Sequence, residues 1–161
     1  MQYSDQGLAV IDQHRQAHRT PRTFSGKGVE LWQDAIDQFL ADTQSHTILD
    51  YGCGKALYWP PHWQGRVSGY DPCVTEFEAE PGVADCVICL DVMEHIHIQD
   101  ITRVIAHIHS LARSAVFWVI STRPATKWLS NGENCHVTVK QSAWWLQACD
   151  HPTLTQQFHW N

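Results

Sequence analysis

The 161-residue sequence predicts an α/β domain, a doubly wound and mostly parallel sheet with helices on both faces. Three observations lead there. Short segments at 47–51, 83–90 and 115–121 are apolar nearly throughout rather than alternating, as expected of strands buried on both faces. Segments with apolar residues at helical spacing, most plainly 29–42 and 99–113, come between or before them. The first apolar strand also runs into Gly52-Cys53-Gly54, where glycine lets the chain turn sharply.

Each element follows in order. Residues 3–19 are expected to form a helix with Leu8, Val10 and Ile11 on its apolar side, stopped ahead of Pro21 because the residue before a proline is driven out of helical geometry. After a turn at 25–28, Leu31, Trp32, Ala35, Ile36, Phe39 and Leu40 mark the helix over 29–42. Residues 1–45 thus read as an N-terminal helical segment packed on the sheet. Past the strand at 47–51, Pro60-Pro61 forbids a long helix before a second strand at 66–70 and a third at 83–90. The helix over 99–113 has Asp100 near its start and one stripe of Ile101, Val104, Ile105, Ile108 and Leu111. A strand at 115–121, a polar loop over 122–134, a helix at 141–149 and an alternating strand at 153–160 complete the chain. With no repeats and no Pro-, Gly- or Ser-rich linker, 1–161 reads as one domain.

A hydrophobic content of 43% and a charged content of 17% suit a packed core rather than a disordered chain. The apolar runs fall far short of the ~20 residues that cross a bilayer, and residues 1–20 lack an apolar leader segment. The expectation is a cytoplasmic chain with no membrane partner. A net charge of −6 disfavours nucleic-acid binding by phosphate neutralisation alone. Arg15, Arg19, Arg22 and Lys27, with His14 and His18, make residues 14–27 locally basic; they read as a solvated helix face, with any nucleic-acid attraction weak and confined there. Cys86 and Cys89 form a C-x-x-C inside a strand, where they face opposite sides and read as buried thiols. His95-x-His97 and His107-x-His109 have no partner pair at zinc spacing, so no metal site is expected.

The chemistry concentrates where strands end. Asp50, Gly52, Gly54 and Ala56 form D-x-G-x-G-x-A behind the first strand, and Asp71 closes the second strand at the distance of an acid that grips ribose hydroxyls. Asp91 closes the third strand, followed by Glu94 and His95. Three acids at successive strand tips face the crevice in which open α/β sheets bind ligands.

The segments ILDYGCGKA, SGYDP and ADCVICLDVMEHI resemble the first, second and fourth motifs of class I S-adenosylmethionine (SAM)-dependent methyltransferases. The longer pattern, with Asn131-Gly132, Asn134, His136 to Val139 and Trp144-Trp145, is similar to a group of small methyltransferase-like proteins common in bacteriophages and bacteria, over residues 24–149. The resemblance implies SAM as cofactor and methyl transfer to an acceptor that the sequence does not name. It implies Asp50, Gly52 and Gly54 at the methionine pocket, Asp71 on the ribose, and Asp91 near the methionine end. His95 and His136 become the catalytic candidates, and Trp128, Asn134 and His136 the candidates for acceptor contact. The eleven residues between Asp71 and Val83 leave no room for the family's third strand, and 153–160 leaves no sequence behind it for the antiparallel seventh beyond Asn161. The adenine side is then open, or closed by Trp59, Trp63, Phe77 or the N-terminal segment. The truncation supports a second reading, a catalytically degenerate SAM-fold protein that serves as a ligand-binding or protein-interaction module.

Overall fold

In a computed structural model, which describes residues 2–19 and 24–161, five strands form a single sheet. They are β1 (Ile48–Tyr51), β2 (Val67–Tyr70), β3 (Ala84–Leu90), β4 (Ala112–Ile120) and β5 (Thr155–Trp160), in the order β2-β1-β3-β4-β5 and all parallel. The helices are α1 (Asp5–His18), α2 (Gly28–Asp42), α3 (Ile101–Leu111) and α4 (Ser142–Ala148). From β1 the chain steps outward to β2, then returns past β1 to β3 and continues the other way. The strand order therefore reverses between β1 and β3, the place where such sheets open a ligand crevice beyond their carboxyl ends.

Side-chain alternation divides the core in two. Leu49, Tyr51, Val87, Cys89, Val116 and Trp118 pack under α3 and α4, while Ile48, Cys86, Ile88, Phe117 and Val119 pack under α2. Cys86 and Cys89 consequently lie in different halves of the core, and all six cysteines are free. The predicted stripe of α3 is buried at every position. Trp145 is buried in the same half, and its neighbour Trp144 is half-buried beneath the Lys140 ammonium, 5.6 Å from the ring.

Both shortened connections follow the sequence reading. Between β1 and β2 the chain makes only a 3-10 turn, Pro61–Trp63, and Trp63, fully buried, fills the space against α2. Its indole N–H donates to Asp37 Oδ1 at 2.7 Å, satisfying the one polar atom so buried. Between β2 and β3 a second such turn, Thr75–Phe77, is the only regular element.

Several boundaries move for identifiable reasons. α1 begins at Asp5 because the Ser4 hydroxyl accepts the Gly7 N–H as an N-cap, and its inward face carries Val10, Ile11 and His14 while Leu8 is exposed. Leu31 of α2 is likewise exposed. The helix predicted to reach residue 113 ends at Leu111, since Arg113 pairs with Asp85 and the Ser114 hydroxyl donates to the Asp85 carbonyl, drawing this segment into the sheet. Pro21 and Arg22, used in the helix-end and basic-arm readings, lie outside the described residues. Among those described, no helix is long and apolar enough to cross a membrane.

Candidate functional site

Beyond β1 the backbone enters left-handed geometry at Gly52 and Gly54, with φ of 80° and 56°. What crowds these glycines is protein. A Cβ on Gly54 would stand 2.3 Å from the Phe24 carbonyl oxygen, and one on Gly52 would stand 2.2 Å from Val92 Cγ2. The segment after α1 thus lies directly on the glycine turn, where the Lys55 and Leu57 N–H groups donate to the carbonyls of Phe24 and Ser25.

Asp71, buried at the tip of β2, joins that turn to its own strand. Its Oδ2 accepts the Gly54 N–H at 2.9 Å and its Oδ1 accepts the Cys73 N–H at 2.8 Å. A carboxylate offers about four acceptor positions, so each oxygen keeps capacity for a ligand hydroxyl. Asp91 caps β3 with φ of 53°, a conformation that aspartate adopts more readily than most non-glycine residues. Burial raises its carboxyl above the ordinary range, opposed by the Asn161 side-chain amide, which donates to Oδ1 at 2.6 Å.

Gly52, Gly54, Asp71, Asp91 and His95 share the wall of one cavity of about 380 Å³, within the range of small-molecule sites. The opposing wall is α1, through Val10, Ile11 and His14. Two anchors hold α1 there. The Ser4 N–H and hydroxyl donate to the fully buried Asp100 carboxylate at 2.9 and 2.7 Å, and the Arg15 guanidinium donates to the Pro72 carbonyl at 3.1 and 2.8 Å while facing Glu78 at 3.7 Å. The arm read as a solvated face is therefore partly an internal one, with His14 buried against His95, ring centroids 4.9 Å apart. A shallower depression continues from His18 and Cys73 toward Phe77.

Asp50 stands apart from these residues. It precedes Tyr51 on β1 and so points to the other face, where its Oδ2 accepts the Trp59 indole N–H at 2.8 Å; it is not on the cavity wall. Burial pushes its carboxyl up to about 7, and the charge of Asp71 adds to that. Of the groups expected to close the pocket, the N-terminal segment lines the cavity; Trp59, Trp63 and Phe77 do not.

A 3-10 turn after β3, Met93–His95, brings Glu94 and His95 under the loop that carries His136. Glu94 is fully buried: Oε1 accepts the Ser121 N–H at 3.1 Å and Oε2 has no partner. Burial, with the Asp91 charge in addition, pushes its carboxyl up to about 8. His95 donates its Nδ1–H to the Cys135 carbonyl, and His136 donates its Nδ1–H to the Arg123 carbonyl, both at 2.7 Å. Each neutral ring then carries its lone pair on Nε2. Burial first, then neighbouring His14 and His136, hold His95 down at about 3, so it stays neutral and is too weakly basic for an effective general base.

The loop residues separate. Asn134 spends its amide inside the loop: Oδ1 accepts the N–H of Ala125 and of His136, and Nδ2 donates to the Ala125 carbonyl, each at 2.9 Å. It thereby positions His136. Trp128 is 68% exposed and away from the cavity wall, whereas the adjacent Lys127 reaches that wall with its ammonium 5.4 Å from the Phe24 ring centroid. Sequence reasoning missed Asn161 and the inward placement of His14. For His14 a signal existed, since it follows Val10 and Ile11 at helical spacing on one face.

The sequence model of a family described as a methyltransferase domain matches residues 17–160. No curated protein and no solved structure matches the chain.

Proposed function

Since the chain belongs to this methyltransferase-domain family, we propose that it is a SAM-dependent methyltransferase with its cofactor lying across the tips of β1, β2 and β3. The observation that carries the reading is Asp71, a buried carboxylate on the cavity wall whose oxygens are fixed by two backbone N–H groups and retain acceptor capacity. The donor set suits the group. Asp71 offers acceptors for ribose hydroxyls, Asp91 offers negative charge where a sulfonium and an amino group need it, and Val10, Ile11 and Leu90 offer apolar wall. SAM, when bound, supplies a methyl group on a sulfonium, open to in-line displacement. The chain's own contribution is alignment and exclusion of water beneath α1, the effects on which such a displacement chiefly depends.

Calorimetric titration with S-adenosylhomocysteine tests this. Asp71→Ala is expected to weaken binding by roughly 1.5–3 kcal/mol, the loss of charge-assisted hydrogen bonds. A parallel melting curve separates damage to the Gly54 turn from loss of the ribose contact. Equal affinity in the wild type and a folded variant refutes the assignment.

A further inference from the structure

We propose that Glu94, His95 and His136 form a binding site for a divalent transition-metal ion beside the cavity, whose wall includes His95. One ligand atom from each lies within 4.8 Å of the others, and His136 Nε2 stands 4.0 Å from Glu94 Oε1. At that distance the two are not hydrogen-bonded. A tetrahedral ion with bonds of about 2.1 Å holds its ligands about 3.4 Å apart, so small side-chain adjustments close the site.

Two independent features point to a ligand. Glu94 is fully buried, yet its Oε2 has no hydrogen-bond partner, a costly condition unless something fills it. Both imidazoles are also prepared in the manner of metal ligands. Each gives its Nδ1–H to a backbone carbonyl at 2.7 Å, which fixes the ring and directs the lone pair to Nε2. His14, whose buried Nε2 also lacks a partner, packs edge-on to His95, and Asp91 adds negative charge nearby. Lys127 is the opposing cation on the same wall.

The remaining acidic group, His18 with Asp71 and Cys73, is a poorer candidate because Asp71 already accepts two backbone N–H bonds. Two imidazoles and one carboxylate favour zinc, cobalt, manganese or iron over magnesium or calcium. Three protein ligands leave a coordination position for water or for an oxygen of the acceptor. Sequence spacing gave no hint of this site, since His136 comes about forty positions after His95 and only the fold joins them.

The test uses the full chain, stripped of metal and titrated with Co²⁺. One equivalent is expected to bind with a visible absorption band, and Zn²⁺ is expected to abolish the band by displacement. The Co²⁺ protein is expected to show two exchangeable, paramagnetically shifted imidazole N–H resonances, from the Nδ1–H of His95 and His136. That readout needs no substitution. Glu94→Gln, which keeps an acceptor for Ser121, and His136→Ala are expected to lower Co²⁺ affinity at least about tenfold. Absence of the band and of the shifted resonances in the wild type overturns the proposal, as does unchanged affinity in both folded variants. S-adenosylhomocysteine affinity, measured separately on the metal-free protein, reports on the cofactor reading and not on this one.

Discussion

Asp50→Asn tells a carboxylate that touches ligand from one that supports the strand tip from behind. In an unfolded chain an aspartate titrates near ~3.9. In the fold, burial carries Asp50 up to about 7. Between those values the folded chain keeps a proton that the unfolded chain has lost, so folding takes up a proton and stability falls as pH rises across the window. Above pH 7 the whole cost is present, roughly 2–4 kcal/mol for a buried carboxyl so displaced. Asparagine removes the charge while keeping an oxygen for the Trp59 indole N–H, which now donates to Oδ2 at 2.8 Å. Urea unfolding is therefore expected to find Asp50→Asn more stable than the wild type by roughly 2–4 kcal/mol at pH 8, with the gap closing toward pH 4. S-adenosylhomocysteine affinity is expected to stay within about threefold, since the residue is absent from the cavity wall. A variant less stable than wild type at pH 8 refutes the buried-charge argument, and a tenfold loss of affinity returns Asp50 to the pocket.

Two further substitutions probe how the shortened fold holds together. Trp63→Ala empties the space that the short β1–β2 connection fills and strips Asp37 of its indole donor, so denaturant melts are expected to show a loss of roughly 3–5 kcal/mol. Asp100→Ala removes the acceptor for both Ser4 donors and for Arg103, whose guanidinium donates at 2.8 Å. Hydrogen exchange is expected to accelerate in residues 5–18 before the sheet is affected, whereas uniform protection across α1 and the sheet would show that the anchor is dispensable.

The sheet was legible because burial on both faces writes itself as unbroken apolar runs, and β1, β3 and β4 carry such runs. The strand-tip residues Gly52, Gly54, Asp71 and Asp91 were legible because they sit at fixed offsets from those strands, and all four line the cavity. Asp50 lies off the cavity wall for a local reason. Its motif position is one residue from Tyr51, and on a pleated strand one residue is the difference between the two faces. Asn134 shows another limit: a side-chain amide in a polar loop looks like a ligand contact, and only the folded loop reveals its bonds to Ala125 and His136. Glu94, His95 and His136 were each picked out from the sequence, but their convergence within 4.8 Å was not, because a 3-10 turn and a distant loop meet only in the tertiary fold.

The shortened fold and the N-terminal helix are two parts of one arrangement. Without a long helix after β1 or a strand between Asp71 and β3, the edge beyond β2 has little of its own to cover the crevice. Cover comes instead from α1, an element outside the sheet, crossing the strand tips with Val10, Ile11 and His14 turned inward. Its anchors lie on both sides of the switch point, Asp100 at the start of α3 and the Pro72 carbonyl just past β2. A helix held by a few polar contacts opens at lower free energy than a strand in mid-sheet. That difference matters for a cavity walled by α1, since the hold on this helix sets how readily the cavity opens. The contacts that hold α1 down thus bear on access to the cavity as well as on stability, and one of them, at the Pro72 carbonyl, lies on the cavity wall beside Asp71.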